Sequence, residues 1–133
     1  MEEFLFLGPK TILQNDLVTT KNTVVLHEDE VDMKYNAPHH FEVYDVHTCG
    51  KGSPKLVGKV DFQEGPVKEC GINGIANEDA IAMVLARLLC FQKTPYACKE
   101  NEMAITKLEE TLMWLRKRTL GREKKGTVGT SKV

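Results

Sequence analysis

Three kinds of side chain in the second half of this 133-residue chain have the chemistry to hold a nucleotide. Phe91 offers a flat face on which a base can stack, and Asn101 an amide that can bond a ribose or a base edge. Arg118 and Arg122 carry planar guanidinium forks that match phosphate oxygens, and Lys124 adds positive charge beside them. Each also has an ordinary reading. Phe91 closes an apolar run and by itself reads as core, and the basic run from Arg116 to Lys125 by itself reads as a solvated helix end.

The elements that position these residues read as a helical hairpin. Asn77 stands before Glu78 and Asp79, so an acceptor and two carboxylates meet the positive end of a helix starting there. Ile81, Val84, Leu85, Leu88 and Leu89 then recur at three- and four-residue steps up to Phe91. Thr94-Pro95 breaks the pattern, and Ile105, Leu108, Leu112 and Leu115 resume it at a 3-4-3 spacing suited to paired helices. So short a break makes the two helices antiparallel neighbours with Gln92 to Cys98 as the tip. A second helix from about Lys99 to about Arg122 has ends roughly 35 Å apart at ~1.5 Å per residue. Phe91 and Asn101 then sit near the tip and Arg118, Arg122 and Lys124 near the far end, beyond the reach of one small ligand in one chain. A two-fold dimer of antiparallel hairpins would set the tip of one chain beside the basic end of the other, giving two equivalent pockets.

The run GINGIANEDAIAMVLARLLCFQ, followed by PYAC, ENEMAITKLEETLMWLRKRT, RE and GTVGT, resembles the helical-hairpin domain of phage counter-defence sponges. These are the Thoeris anti-defence proteins, with the anti-CBASS nucleotide sponges as shorter relatives. The likeness covers about the last half of the chain. FEVYDVH and KLVGKVDFQEGPVKE resemble the family's small β portion more loosely, and the first 35 residues have no counterpart we can place. The resemblance implies a protein that is not an enzyme, with no catalytic residue, cofactor or metal. It would sequester glycocyclic ADP-ribose, made by the TIR proteins of the Thoeris system, without degrading it, in the cytoplasm of the infected bacterial host. The family also includes hexamers, built as trimers of dimers, that bind CBASS cyclic trinucleotides at separate sites. Carried onto this chain, the resemblance has Phe91 stack on the adenine, Asn101 bond the ligand and Arg118 stack on or clamp it from the other chain. Arg122 and the Gly126 to Thr130 tail, with Thr127 and Val128, would close over it.

Composition agrees with an intracellular globular protein without selecting this function: 41% of residues are hydrophobic, 28% charged, and the formal net charge is −1. Residues 1 to 64 hold eleven acidic and six basic side chains and residues 65 to 133 eight and twelve, so positive charge gathers near the C-terminus. That footprint is too narrow for a nucleic-acid surface. With no apolar stretch near 18 residues and an acidic MEEFLFLGPK opening, neither a membrane span nor a secretory leader is expected. Cys49, Cys70, Cys90 and Cys98 form no close pair and read as reduced thiols.

The expected fold class is α+β: a small N-terminal antiparallel β-sheet followed by a long antiparallel α-helical hairpin. We expect a single domain over residues 1–133, with the β portion at about 10–64, the hairpin at 77–125 and a tail at 126–133. In FEVYDVH, Phe41, Val43 and Asp45 alternate with Glu42, Tyr44 and Val46. In KLVGKVDF, Leu56, Gly58, Val60 and Phe62 share one face, with a GKGSP turn between the two strands. Thr23 to Leu26, and Ile12 to Thr19, are expected to supply further strands, for a sheet of three or four. Asn36-Ala37-Pro38 makes a loop, and Gly71 to Gly74 a hinge into the first helix.

Other chemistry has weaker claims. His39, His40, His47 and Cys49 fit no common zinc spacing. Cys98 stands at a helix start, the setting that activates a thiol, though packing is the simpler reading, as it is for Cys90 and for Trp114. Gly71 to Gly74 lacks the lysine of a phosphate-binding loop. Two alternatives stay open: a hairpin that binds a partner protein, and an enzyme cleaving a nucleotide signal with His39 or His40 as base beside Asp45.

Overall fold

The computed structural model describes residues 10–48 and 52–133; the acidic opening, Cys49 and the start of the GKGSP turn lie outside the described residues. The fold is α+β, with four strands in the N-terminal half and helices after them. The strands are β1 (Lys10–Ile12), β2 (Thr23–Glu28), β3 (His40–Asp45) and β4 (Leu56–Asp61), in the order β1-β2-β3-β4 with every neighbour antiparallel. Simple up-and-down pairing follows from a run of short connections.

The chain forms two compact units, one of residues 1–65 with 72–74 and one of residues 66–71 with 75–133. In the first, Ile12 pairs with Leu26 and Val24 with Tyr44, so these four lie on one face of the sheet. Val24, Leu26 and Tyr44 are buried there, with Ile12 and Val46 packed against them. The Tyr44 hydroxyl donates to Glu42 at 2.7 Å, and burial with that carboxylate pushes its pKa up to about 12. Phe41 fills the other face, edge-on to His27 and to Phe62 at 5.6 Å each.

Two details depart from simple alternation. The β3–β4 register shifts between Val43 and Tyr44, so Gly58 still faces Val43 while Leu56 faces Tyr44. This irregularity separates Leu56 from the face it was expected to share with Gly58, Val60 and Phe62, and Leu56 is 47% exposed. The first strand ends at Ile12 instead of running on toward Thr19. Between β2 and β3, Tyr35 and Asn36 both adopt positive φ in a tight turn before Pro38.

Gly74 lies against the last strand so closely that an added Cβ would stand 2.4 Å from the Phe62 carbonyl group. Only glycine fits, because the neighbour is backbone and has little room to give. We expect Gly74→Ala to lower stability by about 1–3 kcal/mol, the usual cost of overpacking, read as a fall in the thermal midpoint. An unchanged midpoint would show that the segment moves freely.

The second unit holds α1 (Val67–Cys70), α2 (Asn77–Phe91) and α3 (Lys99–Lys125). The short α1 was not legible in the sequence. Asn77 is the first helical residue, not the cap: Ala76 takes that place, and Asp79 reaches back to accept its N–H at 2.9 Å. At α3 the Cys98 thiol accepts the N–H of Asn101 at 3.4 Å. No described helix is long and apolar enough to cross a membrane.

Candidate functional site

The hairpin tip is tied by its own side chains. Gln92, at the end of α2, uses both ends of its amide on Cys98: Oε1 accepts the backbone N–H and Nε2 donates to the carbonyl, each at 3.0 Å. Thr94 Oγ1 donates to the Phe91 carbonyl at 2.6 Å and accepts the N–H of Tyr96 at 3.1 Å. The tip is therefore a braced turn. It presents Phe91, 38% exposed in the last turn of α2, and Asn101, half-buried in the first turn of α3. The Arg87 guanidinium stands 5.6 Å from the centroid of the Phe91 ring. Neither Arg87 nor Gln92 was singled out from sequence, although the four-residue step from Arg87 to Phe91 on one helix was there to be read.

The basic end is built differently. Arg118 is exposed, and among the described residues its guanidinium has no hydrogen-bond or ion-pair partner. Arg122 is half-buried and turned to the tail: its Nη2 donates to the carbonyls of Thr127, Thr130 and Lys132 at 2.8, 2.9 and 2.9 Å. Gly126, in the left-handed region at φ 70°, ends α3 and folds the chain back so that these carbonyls reach the helix. The tail is held from its other side as well. The Lys68 N–H donates to the Gly129 carbonyl at 2.8 Å, and Ser131 Oγ to Glu69 at 3.0 Å. Thr127 and Val128 are half-buried in this fold-back.

One chain does not bring these groups together. Asn101 and Arg118 are seventeen residues apart on one continuous helix, about 26 Å at 1.5 Å per residue. The structure thus collects Phe91 and Asn101 at one end, and Arg118, Arg122, Thr127 and Val128 at the other.

The histidines of the sheet are committed elsewhere. His40 Nδ1 lies 2.8 Å from Asp61 and Nε2 2.6 Å from Glu64, an arrangement that needs both ring nitrogens to donate. The Asp61 hydrogen bond and then that of Glu64 raise the His40 pKa above its ordinary 6.5, against the opposing effect of burial. Glu28 accepts the N–H groups of His39 and His40 at 3.0 and 3.1 Å. Burial raises the Glu28 pKa, but the backbone donors outweigh it and the net shift is downward. His39 is 8% exposed with Nε2 on the Lys34 carbonyl, and Asp45, at the opposite end of β3 from His40, accepts the His47 N–H. The pairing of His39 or His40 with Asp45 that a hydrolytic base would need is not formed. Among the described residues no group of three His, Cys, Asp or Glu side chains is placed to hold a metal ion.

The His40 cluster has a measurable consequence. A group whose folded pKa is raised stabilises the fold fully below its unfolded value, and that contribution disappears as pH rises through the folded value. We expect the thermal midpoint to fall as pH climbs from 6.5 through the raised His40 value, and His40→Gln to flatten that slope. An equal slope in the variant would show that His40 is not its source.

Residues 55–120 match the family model described as the hairpin domain of Acb2/Tad1. The matched range contains Phe91, Asn101 and Arg118 and stops short of Arg122 and the tail. Over 136 aligned residues, spanning 89% of this chain and 96% of the relative, the chain is 48% identical to a protein of Bacillus phage SBSphiJ7 named "Thoeris anti-defense 1". The chain belongs to the Acb2/Tad1 hairpin family. Membership accounts for the α2–α3 hairpin as a shared unit, and the likeness to the Bacillus phage protein extends through the sheet as well. Within the hairpin, the tip and the basic end stand at opposite ends of α3.

Proposed function

We propose that this protein acts in phage counter-defence by binding a cyclic nucleotide immune signal, glycocyclic ADP-ribose, and holding it intact in a pocket shared by two chains. The observation that carries the reading is the distribution of side chains along α3. A stacking ring and an amide lie at one end and two guanidinium groups at the other, about 26 Å apart, and only an antiparallel second copy unites them. The kinship with a phage protein named for Thoeris anti-defence supplies the system whose signal this would be.

The surface of the hairpin supports an assembly. Between Ala80 and Phe91 only Arg87 is charged, so α2 is apolar nearly all round, yet Met83, Val84 and Leu89 are exposed. In the whole helical unit, Ile105 is the one buried large hydrophobic residue among the described residues. A helix with such a surface belongs in the interior of something larger, which a dimer, or a trimer of dimers, provides.

In this pocket Phe91 stacks on the base with Arg87 beside it, Asn101 bonds the sugar or base edge, and Arg118 clamps phosphate from the other chain. Arg122 uses one nitrogen to hold the tail, and the rest of its fork faces the ligand. Thr127 and Val128 line the closure. No bond in the ligand is broken. The test is capture and release: protein is mixed with a substoichiometric amount of the signal, the filtrate is assayed, and the retained fraction is heated and analysed by mass spectrometry. We expect a filtrate empty of signal and full recovery of unaltered ligand. A hydrolysed product would establish turnover, and signal in the filtrate would remove the sponge reading.

A further inference from the structure

Phe91 is the only aromatic residue of α2, and the backbone that carries it is tied down. Its carbonyl accepts the Thr94 hydroxyl at 2.6 Å and the Thr94 N–H at 3.1 Å, so the peptide under the ring cannot turn freely. What remains to be fixed is the side chain. On a helix, side chains lean back toward the N-terminus, so a ring at position 91 lies over the turn that carries position 87. Arg87 meets it there, with the centre of its guanidinium 5.6 Å from the centroid of the ring.

Nothing else in the chain accounts for an arginine at this place. Between Ala80 and Phe91 it is the only charged residue, on a helix that is otherwise apolar. Glu78 and Asp79, the acids of α2, lie about 12 Å or more back along the axis at 1.5 Å per residue. The residues that share its face one turn away, Met83, Val84, Cys90 and Phe91, are all neutral. Among the described residues no carboxylate comes within ion-pair distance of Arg87. Its partner is the ring.

We propose that Arg87 is a positioning residue for nucleotide binding: it occupies one face of the Phe91 ring and holds the ring so that the opposite face receives the base. The inference rests on the reading of Phe91 as the stacking residue and adds what makes that ring ready. Both faces of a phenyl ring carry the negative part of its quadrupole, and a flat, weakly hydrated guanidinium suits either of them. Once one face is taken, the base has a single place to stack. The stack then runs in the order Arg87, Phe91, base.

Two physical effects follow from that order. The side-chain freedom of Phe91, which a ligand would otherwise have to freeze, is already restricted in the free protein, so less is lost on binding. The cation also draws the π charge of the ring toward itself, which lowers the repulsion between the far face of the ring and the electron-rich face of a purine. Arg87 touches no part of the ligand in this arrangement. It acts through Phe91, and that is what separates it from an arginine that grips phosphate.

The test is a double-mutant cycle on the full chain, with glycocyclic ADP-ribose as the probe and a ligand-free spectroscopic readout beside it. Arg87→Ala should weaken binding about threefold to tenfold in the wild-type background. In the Phe91→Ala background the same substitution should change binding less than about twofold, because the ring it acts through is gone. In ligand-free protein, the NMR signals of the Arg87 side chain should be displaced by the ring current of Phe91 and return to ordinary positions in Phe91→Leu. An unchanged thermal midpoint in Arg87→Ala would show that the loss is not one of folding. Equal losses in both backgrounds would mean that Arg87 contacts the ligand directly, which overturns the positioning role, as would wild-type affinity in Arg87→Ala or the absence of a ring-current displacement. Failure of the wild-type protein itself to bind the probe, with the displacement present, would remove the ligand reading and with it the role assigned to Arg87, leaving a contact on the helix surface.

Discussion

Co-expressing Phe91→Ala chains with Arg118→Ala chains should restore tight binding that neither variant shows alone. Each substitution is expected to weaken binding by about 1–3 kcal/mol, as is Asn101→Ala, because each removes stacking or a charge-assisted or buried hydrogen bond to ligand. In a heterodimer the intact tip of one chain meets the intact basic end of the other, while the opposite pocket carries both defects. Random pairing should therefore return about a quarter of the wild-type sites at full affinity, since half the dimers are mixed and each has one good pocket. The measurement is a calorimetric titration of the mixture against each variant alone. A pocket lying within one chain would show no recovered sites, and the seventeen residues between Asn101 and Arg118 would then need another explanation.

The second large effect is on the sheet. Leu26 is 1% exposed, and with Val24 and Tyr44 it makes up the buried cluster of the four strands. Leu26→Ala leaves a cavity that so small a core cannot close, and the expected cost is about 2–5 kcal/mol, a large part of the stability of a domain this size. It should appear as a fall in the urea midpoint with little change in slope. A loss under about 1 kcal/mol would mean that the strands repack around the missing atoms.

The helices were legible because each carries a long periodic signal. Ile81 to Phe91 and Ile105 to Leu115 mark the buried sides, Pro95 marks the break, and the acid-to-base gradient of α3 marks its direction. The sheet was legible as a small antiparallel set of strands ahead of the hairpin, but not in its details. Leu56 leaves its expected face because a register shift cannot be read from alternation, and α1 has too few residues for a period. The cap moved from Asn77 to Ala76 because Asp79 can satisfy the leading N–H without help from the residue before it.

The site was legible in its residue types and less so in their attachments. Arg122 reads in sequence as a phosphate fork, whereas its Nη2 is spent on three tail carbonyls. That outcome depends on Gly126 folding the tail back, which is geometry and not composition. Gln92 at a helix end gives no sign that its amide will bridge the loop to Cys98. Trp114 reads as a packing residue from its neighbours, whereas it is 61% exposed in this chain. A pocket contributed by two chains leaves in each sequence two half-sites, each with an ordinary reading of its own.

Titration of the wild-type protein with glycocyclic ADP-ribose tests the account most directly. It predicts tight binding of one ligand per chain; a dissociation constant of ~1 nM would correspond to about −12 kcal/mol, which requires a largely enclosed and preorganised pocket. Absence of heat at micromolar ligand, or saturation at a fraction of a site per chain, would contradict it.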